Sequence, residues 1–205
     1  NLFSDNLKIT QNEKDFYFTG IIENKNSTLN NEFYNLTKIN FKNINLENIN
    51  FSSKNNFSFK IDKNLKFKDL IIDSEIRIDE FQYYKPKIFN DYFPQIKDTI
   101  HLKDHKIKAS YKNKNLSVKG SGQIQFEKKF DQIEYLITKK GKDFNFVSSV
   151  ALSDLNIESP KSLKNFFTEA DKKINLKNHK INIDYKKDYL LLNGSGQIQL
   201  GKEFD

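Results

Sequence analysis

Among the 205 residues, the side chains best suited to moving protons or holding a metal are three histidines, His101, His105 and His179. Neither His105 nor His179 has a second histidine or a carboxylate at ligand spacing, and the two stand 74 positions apart at equivalent places in a repeat. A zinc or catalytic centre needs ligands that converge once, whereas an imidazole that recurs once per repeat serves the repeat. The spacing therefore predicts a structural histidine at the start of a strand and no metal site. Gly-Ser-Gly at 120–122 and again at 194–196 is the second candidate, as a phosphate cradle or a nucleophile elbow. Both devices need a helix directly afterwards, so that its N-terminus faces the anion. Gln-Ile-Gln follows instead and reads as strand, where glycine marks a bulge or a close backbone approach. Paired carboxylates, a Walker sequence and a dinucleotide fingerprint are all absent from the sequence. Lack of cysteine removes disulfides, thiolate ligands and cysteine nucleophiles together. The expectation is a protein with no catalytic residue and no cofactor.

The formal charge of +7 invites a nucleic-acid partner, yet Arg77 is the single arginine among 34 basic residues. Phosphate and base-edge recognition favours the planar guanidinium fork, so nucleic acid is not the expected partner. Heavy use of Lys, Asn, Ile and Phe is what AT-rich codons supply. The lysines are interleaved with 27 acidic residues, as on an ordinary solvated face. No apolar run approaches the roughly 20 residues of a membrane span, which predicts a soluble or peripheral segment. Because the sequence begins at Asn1 without methionine and ends at Asp205 inside a repeating pattern, it reads as a piece of a longer protein with further units beyond it.

That pattern is the main signal. Shifting the sequence by 74 positions lays Ile100–Asp131 on Ile174–Asp205 with 18 of 32 residues identical and no gap. Leu102-Lys103-x-His105-Lys106-Ile107 meets Leu176-Lys177-x-His179-Lys180-Ile181. At the same offset Pro86 meets Pro160, Tyr92 meets Phe166, and Ile76, Ile78 and Phe81 meet Val150, Leu152 and Leu155. Tandem units of one architecture imply an array in which neighbours cover each other's faces. Three units are expected: a partial one over 1–57, then 58–131 and 132–205. In the first, Leu2, Leu7, Phe16, Phe18 and Gly20 align with Leu102, Ile107, Leu116, Val118 and Gly120 at an offset of 100.

Period-two alternation dominates each unit and predicts strands with one dry and one wet face. It places Ile76 and Ile78, Leu116 and Val118, Ile124 and Phe126, Phe144 and Phe146, and Val150 and Leu152 on the dry side. Leu190 and Leu192, then Ile198 and Leu200, continue it. The parity of apolar positions flips between Ile78 and Phe81 and again between Leu152 and Leu155, which predicts a bulge or bend at the same point of each unit. One exception to the alternation occurs per full unit. Ser159-Pro160 followed by Leu163, Phe166, Phe167 and Ala170 predicts a short amphipathic helix over about 160–172. Phe89, Tyr92, Phe93 and Ile96 predict its equivalent over about 86–97, ended or kinked by Pro94. Ile39-x-Phe41, Ile44-x-Leu46 and Ile49-x-Phe51 predict short strands joined by tight bends, with a β-helix rung as the competing reading.

Tandem units of long alternating strands, a helix opening near proline, the segment Tyr92-Phe93-Pro94-x-Ile96 and the Leu-Lys-x-His-x-Ile strand starts together resemble the AsmA-like proteins. Their YhdP branch is the nearer comparison and TamB a more distant one. The resemblance covers about 71–205 well and the first 57 residues loosely. It implies a mainly β fold with short helices: a long, curved antiparallel sheet built from tandem repeats, forming an open hydrophobic groove with one helix per repeat. It also implies the periplasm of a Gram-negative cell, with tethering to the inner membrane through an anchor absent from this sequence. Neighbouring repeats of the same parent chain would be partners. So would phospholipid acyl chains carried toward the outer membrane, with the fourteen dry-face residues lining their path. A closed β-sandwich interaction module, or an outer-membrane protein assembly factor without lipid conduction, fits the same alternation.

Overall fold

A computed structural model describes residues 2–29, 44–45, 49–85, 96–158, 173–186, 189–200 and 203–204. These residues form one antiparallel sheet with ten long strands and two of two residues each. The strands are β1 (Leu2–Gln11), β2 (Asp15–Leu29), β3 (Ile44–Asn45), β4 (Ile49–Asp62), β5 (Phe67–Tyr84) and β6 (Thr99–Lys112). They continue as β7 (Asn115–Gln125), β8 (Phe130–Lys140), β9 (Asp143–Glu158), β10 (Lys173–Lys186), β11 (Tyr189–Leu200) and β12 (Glu203–Phe204). Strand order follows chain order from β1 to β12, except that β3 steps aside to pair with Gln82 and Tyr83 of β5. The two ends of this path do not pair with each other, so the sheet is open.

Hairpin chemistry explains the meander. Asn113 and Lys114 sit at φ of 52° and 63°, as the centre of a type I′ turn requires, and join β6 to β7. Gly141, at φ 59°, opens the two-residue turn between β8 and β9. Asp62 closes the β4–β5 loop by accepting hydrogen bonds from the N–H groups of Asn64 and Lys66, both at 2.9 Å. The Asn12 side chain accepts from the N–H groups of Lys14 and Asp15 between β1 and β2. Asn193-Gly194, the one tight-turn dipeptide in the sequence, lies inside β11.

The parity flips are real and have a single cause. In β6, Asp104 adopts φ 55°, so Asp104 and His105 together face one residue, Gly122, of β7. In β10, Asn178 adopts φ 47°, and Asn178 with His179 faces Gly196 of β11. Asn6, at φ 58°, makes the same arrangement in β1, with Asn6 and Leu7 facing Gly20. Only Asn and Asp tolerate this left-handed conformation readily among non-glycine residues, which is why they stand there. This geometry pairs Leu7 with the position of His105, and Gly20 with that of Gly122. The aligned positions at offset 100 are therefore not the ones that correspond in space.

Several sequence expectations change. The stretches 86–95 and 159–172, where helices are expected, lie outside the described residues, as do Ile39 and Phe41. Ile96 and Lys97, at the end of the first expected helix, are not helical. Ile49 and Phe51 open a fourteen-residue strand rather than a short one, and the antiparallel ladders replace the β-helix rung. His105 and His179 stand mid-strand, not at strand starts, because the ladders begin earlier, at Thr99 and Lys173. Phe126 lies one residue past the end of β7 and packs on the buried cluster from there.

Candidate functional site: one apolar face of the sheet

Residues paired directly across an antiparallel ladder point to the same side, so the registers trace rows across the sheet. One row runs Phe144, Lys139, Leu116, Tyr111, Ile72, Phe57. The next runs Leu190, Tyr185, Phe146, Ile137, Val118, Ala109, Ser74. A third runs Leu192, Ile183, Ser148, Tyr135, Gly120, Ile107, Ile76. Beyond it Val150 pairs with Ile133, Ile78 with His105, Leu152 with His179, and Ile198 with Leu176. The dry-face residues of the strands thus share one side. Leu200 pairs with Ile174 through its backbone, and its side chain lies outside the described atoms.

The opposite side is polar across β2 to β7, and farther along it Leu136, Val147 and Leu191 stand exposed. Glu23, Lys54, Glu75 and Lys108 follow one another across β2, β4, β5 and β6 in direct register. Lys54 meets Glu23 at 3.0 Å and Lys108 meets Glu75 at 3.3 Å. The Lys54 ammonium beside it holds the Glu23 carboxyl below the usual carboxylate range. A shallow hollow of about 520 Å³ lies on this side, lined by Lys54, Asp73, Glu75, Lys108 and Lys119 among others.

Along the apolar side, burial divides the face in two. At the bulge end a cluster of Ile96, Ile100, Ile124, Ile133, Val150, Leu152, Leu155, Ile174 and Leu176 is only 2–8% exposed. Toward the hairpin turns the same face is open. Phe144 is 41% exposed, Leu190 43%, Leu192 45%, Phe67 55% and Ile9 56%. Val118, Leu116, Phe146 and Ile76 are half-buried. Every pair of strands in substantial contact is a pair of ladder neighbours, so no second layer of described strands covers this surface. Aromatic rings tile part of it, with Phe59 stacked on Phe18 at 4.7 Å and on Phe67 at 4.5 Å. Such pairs add about 1 kcal/mol each beyond the area they bury.

Besides Lys139, Ser148 and His179 in these rows, polar groups interrupt the face at two further places. Asn24, Ser53, Asn55 and Ser74 occupy neighbouring dry-side positions on β2, β4 and β5. Asn55 donates to the Ile22 carbonyl at 3.2 Å and to the Ser53 hydroxyl at 3.0 Å, which keeps it satisfied within the sheet. The second interruption is His105, 1% exposed, with Phe81 edge-on at 5.3 Å. Its Nε2 lies 3.2 Å from the Gln123 carbonyl and its Nδ1 lies 3.2 Å from the Tyr135 hydroxyl. A carbonyl oxygen only accepts, so Nε2 carries the proton and Nδ1 accepts from Tyr135. The two glycines of the Gly-Ser-Gly motif make room for this pair. A Cβ on Gly122 would stand 2.5 Å from the His105 ring, and one on Gly120 would stand 2.2 Å from the Tyr135 ring. Close approach, not anion binding, explains the motif.

Burial holds the His105 imidazole below its ordinary value of 6.5, against the opposing pull of the Gln123 carbonyl and the Asp104 charge. Burial also pushes the Tyr135 hydroxyl up to about 12. The folded chain therefore keeps His105 neutral where the unfolded chain would protonate it. The unfolded state binds the extra proton, so stability is full above about pH 6.5 and falls as pH drops from there toward the lowered folded value. Urea midpoints measured between pH 7.5 and 5.5 should decline in the natural chain and decline less in His105→Gln. Equal slopes would remove His105 as the cause.

No family model, curated protein or solved structure matches the chain.

Proposed function

We propose that the apolar face carries the hydrocarbon chains of phospholipid, as a segment of a periplasmic, inner-membrane-tethered bridge of the AsmA-like kind. The observation that supports this reading is an apolar surface spanning most of the sheet, with large side chains about 40–55% exposed and no second layer of described strands over them. Exposed apolar area of this extent marks a surface that meets something oily. Moving an acyl chain through water costs about 0.8 kcal/mol per CH₂, so a 16-carbon tail faces roughly 12 kcal/mol. A surface that is apolar along most of its length removes much of that cost. Its flat rows of Leu, Ile, Val and Phe offer many weak, interchangeable contacts, which lets a tail slide along them. On this reading the lipid is cargo and the chain catalyses nothing. Extension by tandem repeats and a curved groove belong to the same proposal.

The 205-residue chain should co-purify with phospholipid detectable by mass spectrometry and bind a fluorescent fatty acid. Leu192→Asp, at an exposed position of the apolar face, and Val118→Asp, at a half-buried one, should each weaken that binding about tenfold or more, while Lys119→Ala on the opposite side leaves it unchanged. Absence of lipid, or equal losses from both classes of substitution, would reject the conduit and favour a face closed by another protein layer.

A further inference from the structure

We infer that the outer edge of β11 is a built seat for one more antiparallel strand of the β8 type, whose tyrosine lies over Gly194 and donates its hydroxyl to His179. This is independent of what the apolar face carries.

The argument rests on two pairs of strands 74 residues apart. In the first, β8 lies on β7 with Gln125 opposite Phe130 and Ile124 opposite Asp131, and its Tyr135 reaches Gly120 and bonds His105. In the second, β12 begins the same ladder on β11, with Gln199 opposite Phe204 and Leu200 opposite Glu203. Gln199, Phe204 and Asp205 are the same residue types as Gln125, Phe130 and Asp131, so the register is identical. Among the described residues, pairing on this edge of β11 stops at Gln199 and Leu200.

The rest of the seat is present and unoccupied by any described side chain. His179 is 7% exposed, and its Nδ1 has no hydrogen-bond partner among the described residues. This is the atom that, in His105, accepts from Tyr135. A Cβ on Gly194 would meet only the His179 ring, at 3.1 Å, and the Lys180 carbonyl, whereas the equivalent on Gly120 runs into Tyr135. Apolar neighbours show the same vacancy. Leu190 at 43%, Leu192 at 45% and Ile198 at 38% are exposed, where Leu116 and Val118, with β8 alongside, are half-buried and Ile124 is 7% exposed. Buried polar atoms are nearly always paired, and a free sheet edge is a template for a further strand. The missing donor must therefore arrive with a strand, which makes the occupant a segment reading Phe-Asp-x-Ile-x-Tyr, as Phe130-Asp131-Gln132-Ile133-Glu134-Tyr135 does.

The test is a labelled peptide of residues 132–140, the part of the segment that lies beyond the pairing β12 already makes through Phe204, added to the 205-residue chain and followed by fluorescence anisotropy and amide hydrogen exchange. The peptide should bind and slow exchange in residues 190–198. Its Tyr135→Phe form should bind about fivefold more weakly, the loss expected for one hydrogen bond to a buried acceptor. Against chain carrying His179→Phe, the two peptides should bind equally. Absence of binding, equal binding of both peptides to the natural chain, or protection on β1 instead of β11 would each overturn the assignment. So would dimerisation of the chain through β11 that excludes the peptide.

Discussion

Gly122→Ala should destabilise the chain by about 2 kcal/mol and lower its Tm by about 4–8 °C, an overpacking cost for a domain of this size. The new methyl would lie 2.5 Å from the His105 ring, and that ring has nowhere to go. It is 1% exposed, edge-on to Phe81, bonded to Tyr135 and held by the Gln123 carbonyl. Either both hydrogen bonds break or the bulge at Asp104 shifts. Gly194→Ala, at the counterpart of Gly120, offers a milder contact with a histidine ring for comparison. Its methyl would meet the His179 ring at 3.1 Å, with no tyrosine beside it, so a small displacement of the ring suffices. Its cost should be less than half as large. Urea denaturation of the two variants side by side decides the matter, and equal losses would mean that the histidine seat is not what the glycine serves.

Ile124→Asp should be worse still, losing about 4 kcal/mol or the cooperative fold altogether. Ile124 is 7% exposed within the cluster of Ile133, Val150, Leu152 and Leu176. A carboxylate placed there loses water and gains no cation, and a group in that position either stays protonated at a high free-energy cost or drags water into the core. Val118→Asp, at a half-buried position three rows toward the hairpin turns, should cost only about 1–2 kcal/mol, because its carboxylate can reach solvent. Circular dichroism melts should show a cooperative transition in Val118→Asp and a weakened or absent one in Ile124→Asp. Two similar melts would mean that the bulge-end cluster is not a core. The consequence for function is direct: lipid lost on Ile124→Asp reports unfolding, whereas lipid lost on Val118→Asp or Leu192→Asp reports the surface.

Alternation carried most of the fold, since a residue every second position on one side is what a half-dry strand requires, and it put Leu116, Val118, Phe144, Phe146, Leu190 and Leu192 on a common face. The parity flips at Ile78–Phe81 and Leu152–Leu155 disclosed the bulges. Their mechanism sits one strand over, at Asp104 and Asn178, where a single left-handed residue re-aims the chain. An Asn or Asp directly before each repeated histidine was the visible signal for it. Turns were harder to read, because the β6–β7 turn is Asn113-Lys114, with a lysine at positive φ where glycine would be the recognisable residue. The polar patch of Asn24, Ser53, Asn55 and Ser74 was invisible to a pattern that records apolar positions and ignores what interrupts them.

Sequence by itself determined the period, the two faces and the 74-residue correspondence, because these depend on residue type and spacing along the chain. Tertiary structure alone decided which stretch of the apolar face is buried and which is open. Ile124 and Ile198 occupy the same place in the pattern and differ from 7% to 38% exposed, because the first has long strands on both sides and the second has one on one side only among the described residues. Burial belongs to what a residue's neighbours in space leave uncovered, and a local pattern holds no record of those neighbours.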